Sequence, residues 1–268
     1  MQEKVTSGYD SVETLPARFS QSHKAWDAYM AQVWHTLLAT LPLGANASVV
    51  EIGSGNSIKI GMALASLSFA GSLYLVDPFE EALHETKEHY MRLLPNIELH
   101  LIAATLAEAA EILSPRPTCL VSNHSIDDML LAAARGNSSM RELFGWTSIE
   151  HEQTIPLTQE VWSVLAADKK KLAQVKDVVF EEWRLAIETL KPQFCIISQY
   201  PSVTLEHAGM GGLNTHAGEV FARLRRYFSL KSFQGTDVQD ILSKHPHFND
   251  THIRSEVLNA KNWFISEY

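Results

Sequence analysis

Three short stretches carry residue types that could do chemistry. "SVVEIGSGNS", residues 48–57, is an apolar run closed by an acid, Glu51, and by glycines at 53 and 55. Glycines there let the backbone turn sharply and let a ligand approach where a side chain would collide, while N–H groups at the next helix start offer hydrogen bonds. That pattern predicts a nucleotide-like guest. In "SLYLVDPF", Asp77 closes the next apolar run 22 residues past Gly55. The spacing suits a carboxylate accepting from both ribose hydroxyls of an adenosine, the alternative being a surface acid in a turn. A dinucleotide fingerprint needs a third glycine at 58, where Ile58 stands, so a pyrophosphate is less well provided for. The third stretch is "SNHSIDD", residues 122–128. Asn123 could hold an amine or a carboxyl group, His124 could act as a base near neutral pH, and Asp127 and Asp128 could bind an ammonium or orient a nucleophile. Equally, the two acids could simply favour the first turn of a helix and His124 could pack. Tyr200, in "ISQYPS", could reach the same crevice.

These residues need a frame, and the hydrophobic pattern predicts one. Trp26, Tyr29, Val33, Leu37 and Leu41 follow three-and-four spacing, so Ser22 to Leu41 reads as an amphipathic helix before the first strand. After it come "ASVVEIGSG" as strand and turn, "IKIGMALASLS" as helix, "GSLYLVDPF" as strand, and Glu80 to Leu94 as a helix stopped by Pro95. "IELHLIAAT" and "LAEAAEIL", then "TCLVSNHS" and "IDDMLLAAARG", repeat the strand and helix order, the last helix closing at Gly136. Asn137 to about Pro156, with Trp146, breaks the rhythm and reads as an insertion near the strand ends, extending in the domain layout to about 168. Thr158 to Leu190 reads as helix, with Asp168 as an N-cap that divides it in two. "KPQFCIISQYPS" is a fifth strand, Thr215 to Phe228 a helix, "LKSFQ" a sixth strand and "NWFISEY" a seventh. The short connection between the last two suits antiparallel pairing. The expected fold is α/β: a Rossmann-like, seven-stranded, mostly parallel sheet with an antiparallel last strand, helices on both faces and an N-terminal helical extension. Residues 1–45 form that extension and 46–268 the ligand-binding domain.

Composition bounds the function. Lys plus Arg number 22 against 31 Asp plus Glu, and a net charge of −9 would repel a polyanion, which disfavours a nucleic-acid substrate. The longest apolar runs are far shorter than the roughly 20 residues of a membrane helix, and the N-terminus lacks a signal-peptide apolar region, so the expectation is a soluble, cytoplasmic protein without a membrane partner. Cys119 and Cys195 each lie inside an apolar run and read as buried hydrophobes. His245, His247 and His252 cluster in "HPHFNDTH", but without a cysteine or a defined frame they read as a solvated loop, so no metal is expected.

The same residues resemble a known family. "VVEIGSGNS", "LYLVDPF", "CLVSNHSIDDML" and "ETLKPQFCIIS", in this order, are similar to successive motifs of the class I S-adenosylmethionine-dependent methyltransferases. The resemblance spans roughly Ser48 to Ser198, and the last strand extends it to Tyr268. It implies that Glu51, Gly53, Gly55 and Asn56 address the methionine part of the cofactor. It further implies that Asp77 binds the ribose, with Phe79 or Pro78 against the adenine and Thr105 standing where an adenine-binding acid is usual. A sulfonium is attracted to aromatic faces, so Tyr9 and Phe19 could belong to an N-terminal lid. The implied activity is methyl transfer to a small-molecule nucleophile, with Asn123, His124, Asp127, Asp128 and Tyr200 as the groups nearest the chemistry. "SNHSIDDML" is also similar to the S-adenosylmethionine-dependent azetidine-2-carboxylate synthases, which implies an alternative in which the cofactor's own amine displaces methylthioadenosine. Aminocarboxypropyl transfer to another amine is a related alternative.

Overall fold

The computed structural model describes residues 23–55, 57–113, 115–136, 151–202, 205–206, 208–232 and 263–267. Tyr9, Phe19, Asn56, Trp146 and the histidines at 245, 247 and 252 lie outside them.

Helix α1 (His23–Leu38) leads into β1 (Ser48–Ile52), α2 (Lys59–Ser66), β2 (Ser72–Asp77), α3 (Glu80–Leu93), β3 (Glu98–Ala103), α4 (Leu106–Ile112), β4 (Cys119–Asn123) and α5 (Ile126–Arg135). Then come α6 (His151–Ala167), α7 (Lys169–Leu190), β5 (Phe194–Ser198), α8 (Gly211–Tyr227), β6 (Lys231–Ser232) and β7 (Trp263–Glu267). The sheet order is β3-β2-β1-β4-β5-β7-β6. Strands β1 to β5 pair in parallel, and β7 runs antiparallel to both β5 and β6. The order reverses direction between β1 and β4, and in an open α/β sheet a ligand binds at the carboxyl ends of the strands at such a switch point.

Alternation along each strand divides the core in two. Val49, Leu73, Leu75, Cys119, Val121 and Ile196 face a layer built from α1, α2 and α3, whereas Val50, Ile52, Val76, Leu120, Cys195 and Ile197 face α4 to α8. The same parity puts Glu51, Asp77, Asn123 and Ser198 on the α1 side. Three polar side chains named from the sequence therefore share one face of the sheet at neighbouring strand ends.

Local signals explain most boundaries. Asp168 caps α7 by accepting from the backbone N–H groups of Lys170 and Lys171 at 3.0 and 2.9 Å. Some boundaries differ from the sequence reading: α1 ends at Leu38 rather than Leu41. Helix α6 begins at His151 and carries Pro156 within it, so the helix expected from Thr158 starts earlier, inside the stretch expected to break the rhythm up to about Pro156. Helix α8 begins at Gly211 rather than Thr215. Among the described residues no helix is long and apolar enough to cross a membrane, and no group of three His, Cys, Asp or Glu residues could hold a metal ion.

Candidate functional site

The turn after β1 is shaped by two left-handed glycines, Gly53 at φ 64° and Gly55 at φ 50°. A Cβ on Gly53 would lie 2.8 Å from the Ser125 Cβ, so glycine also allows the turn to pass close to the start of α5. Asp77, at the end of β2, closes this turn against its own: its Oδ2 accepts from the Gly55 N–H and its Oδ1 from the Phe79 N–H, both at 2.9 Å. Thr86 of α3 donates its hydroxyl to the Gly55 carbonyl at 2.6 Å. The backbone N–H and the carbonyl of Gly55 are both held.

Glu51 is buried one strand away. The Tyr90 hydroxyl of α3 donates to its Oε2 at 2.6 Å and accepts from the Gly61 N–H at 3.0 Å, satisfying one of the amides left unpaired in the first turn of α2. A Cβ on Gly61 would meet the Tyr90 ring at 2.7 Å, so the phenol packs directly on the helix backbone. Burial pushes the Glu51 carboxyl up to about 8, with the hydrogen bond from Tyr90 opposing and the neighbouring Asp77 reinforcing the rise. Burial also raises Asp77, to about 6, against the lowering effect of the Phe79 and Gly55 amides. Near pH 7 the fold therefore holds one ionised and one largely neutral acid side by side.

The β4–β5 end is built from side chains. Asn123 and Ser198 are Cα partners across the two strands. The buried Trp34 of α1 donates its indole N–H to Asn123 Oδ1 at 3.0 Å. His124 follows at φ 58°, a left-handed conformation uncommon outside glycine, and its N–H donates to the Ser198 carbonyl at 2.8 Å. Its ring is engaged on both sides: Nε2 lies 2.6 Å from the Tyr200 carbonyl oxygen and Nδ1 lies 3.3 Å from Asp127 Oδ1. The Tyr200 ring tilts against it with centroids 4.4 Å apart. Gln199 ties the cluster together, donating to Asp127 Oδ1 at 3.2 Å and accepting from the Ile126 N–H at 3.1 Å. Asp127 Oδ2 and Ser198 Oγ are buried and have no hydrogen-bond partner among the described residues.

The structure thus brings Glu51, Gly53, Gly55 and Asp77 together around one turn, and Asn123, His124, Asp127 and Tyr200 together at the adjoining strand ends. Asp128, half-buried in the first turn of α5, stands beside the second group. Other candidates separate. Phe79 is buried in the core on the α4–α8 side while Pro78 is exposed, so only Pro78 offers a surface at the end of β2. Thr105 caps α4: its hydroxyl accepts from the Glu108 N–H and donates to Glu108 Oε2, which also receives the Thr105 N–H. Both cysteines are free and buried, and burial pushes the Cys195 thiol up to about 12 and Cys119 upward as well, which suits inert packing. Sequence reasoning missed Trp34, Thr86, Tyr90 and Gln199. For Tyr90 and Thr86 a signal existed, since a polar pair four residues apart sits on the inward face of an amphipathic helix.

No protein-family model and no curated protein sequence matches the chain. Solved structures that match the chain in part or in most of its length include an rRNA methylase from Streptococcus thermophilus, at 22% identity and TM-score 0.29, covering 34% of this chain; the match spans 48% of that chain's length. The plantazolicin methyltransferase BpumL in complex with SAH matches at 11% identity and TM-score 0.44, over 94% of this chain and 88% of that one. BpumL with a monoazolic desmethylPZN analog and SAH matches at 10% identity and TM-score 0.45 over the same shares.

Proposed function

We propose that the chain is a class I methyltransferase-fold enzyme that binds S-adenosylmethionine across the ends of β1, β2 and β4 and transfers its methyl group to a small-molecule nucleophile. One observation carries the reading: at the switch point of a β3-β2-β1-β4-β5-β7-β6 sheet, a carboxylate at the end of β2 is locked to a left-handed glycine turn at the end of β1. Such an arrangement offers backbone amides and close approach at the turn, and an anionic acceptor beside it for vicinal hydroxyls.

On this reading Asp77, already fixed by two amides, presents its remaining lone pairs to the ribose. Glu51, Gly53, Gly55 and Asn56 frame the amino-acid end, Pro78 flanks the base, and Tyr9 belongs to a segment that covers the site. Bound S-adenosylmethionine supplies a sulfonium-activated carbon, a good enough electrophile that the protein needs to contribute alignment, water exclusion and at most one proton acceptor. Asn123 supplies an amide at the end of β4 that holds a polar group of the bound molecule. His124 and Asp127 hold each other and the start of α5 in place, while Asp128 and Tyr200 line the acceptor side. The acidic net charge of −9 favours a small polar or cationic acceptor over RNA or DNA.

The test is direct. Full-length protein titrated with S-adenosylmethionine, S-adenosylhomocysteine and NAD should show a rise in melting temperature with the first two, because a ligand that binds only the folded state stabilises it. Mass spectrometry of turnover mixtures with candidate amines and hydroxy acids should then find S-adenosylhomocysteine. Methylthioadenosine formed in its place would replace methyl transfer by cleavage on the amino-acid side of sulfur, and a response to NAD alone would overturn the cofactor assignment.

A further inference from the structure

We propose that Trp34 is a positioning residue that fixes Asn123 as a hydrogen-bond donor, and that the ligand group Asn123 meets is a carboxylate. The inference rests on the cofactor reading above and names the chemistry of one end of that site.

An asparagine amide can turn either its oxygen or its NH2 toward a ligand, and exchanging the two ends changes the shape of the side chain very little. An indole N–H is a donor only. With Trp34 Nε1 3.0 Å from Asn123, the atom it meets must be the oxygen. The two ends of the amide diverge from one carbon, so holding Oδ1 against α1 turns the NH2 away from α1. Asn123 is only half-buried, so its side chain is partly open to a ligand. Trp34 is held from all sides, wholly buried in the layer of α1, α2 and α3, so its N–H direction is set by packing rather than by the ligand.

The polarity at the end of β4 is therefore chosen before any ligand arrives. A donor there rejects an ammonium, which offers only N–H groups, and accepts an oxygen lone pair. Of the two polar groups at the amino-acid end of S-adenosylmethionine, the ammonium and the carboxylate, the NH2 can bind only the carboxylate, and a donor facing an anion makes the stronger, charge-assisted bond. The sequence reading left amine and carboxyl both open at Asn123. The indole decides between them.

The experiment is calorimetric titration of the full chain with S-adenosylhomocysteine and with methylthioadenosine, which lacks the amino-acid part. Asn123→Asp keeps the oxygen that Trp34 needs but removes the donor and adds like charge. It should weaken S-adenosylhomocysteine by at least about tenfold, more than Asn123→Ala does, and leave methylthioadenosine within about twofold. Trp34→Phe should weaken S-adenosylhomocysteine by about threefold or more in the parent chain and have no further effect when combined with Asn123→Ala, the non-additivity expected of residues acting through one another. Trp183→Phe, a second buried tryptophan whose N–H meets Met129 Sδ, controls for lost packing and should change stability without changing either affinity. The proposal is overturned if Asn123→Asp binds S-adenosylhomocysteine like the parent, if both ligands suffer alike, or if the Trp34 and Asn123 effects add. A parent chain that binds neither ligand overturns the cofactor reading, and this inference with it.

Discussion

Asp77, which closes β2, and Asp127, in the first turn of α5 just past β4, are both buried acids, yet they are used differently. Asp77 has each oxygen on a backbone amide, from Gly55 and Phe79, so its carboxylate stitches two loops together. Asp127 has one oxygen shared between Gln199 and His124 and the other without a partner among the described residues. The β1–β2 end is therefore built from main chain pinned by side chains, and the β4–β5 end from side chains pinned by one another. An acid that binds amides has become part of the backbone's hydrogen-bond accounting and tolerates no loss of acceptors. An acid with a spare oxygen has capacity left over.

The comparison can be broken with the same substitution made twice. Asp77→Asn replaces one of two obligatory acceptors by an NH2 that faces an N–H, so unfolding in urea should show a loss of about 2–3 kcal/mol, the largest of these effects. A loss under about 1 kcal/mol would mean that the two amides find other partners.

A smaller effect separates Glu51 from its neighbours. Burial favours its neutral form, so its contribution to stability is fully present below the ordinary carboxyl value of 4.5 and is lost as pH rises through about 8. Asp77 adds the same sign of dependence between 3.8 and about 6. The melting temperature should therefore fall between about pH 5 and about pH 9, and fall less in Glu51→Gln, which stays neutral and still accepts from Tyr90. Parallel curves for the two proteins would remove Glu51 as the cause.

The smallest effect is expected at the other end. Asp127→Asn keeps an acceptor for Gln199 and places no new group against a donor already in use, so its change in unfolding free energy should stay within about 1 kcal/mol. Should it match the loss at Asp77, the two ends are not built differently after all.

How far the sequence revealed this follows from what each signal measures. Period-two and three-and-four spacing report which face is apolar, and that was enough to lay out the strands, the helices between them and the capped break at Asp168. The stretch up to about Pro156 was read as a break in the strand and helix rhythm, whereas α6 is helical from His151. Strand ends were legible as candidate ligand positions, which exposed Glu51, Asp77 and Asn123. Their partners were not. Trp34 sits on an apolar helix face beside Val33 and Leu37, and no spacing rule tells a tryptophan whose N–H is needed from one that only fills volume. The capping box of Thr105 with Glu108 was legible locally, three residues apart, and the reading made no use of it.

The packing of Tyr90 on Gly61 has a consequence for any lineage or library derived from this chain. A methyl at 61 collides with the ring, and a smaller residue at 90 strands both an amide and a buried acid. The two positions can be exchanged only as a pair, so variation at either one alone should be purged even where no ligand is ever touched.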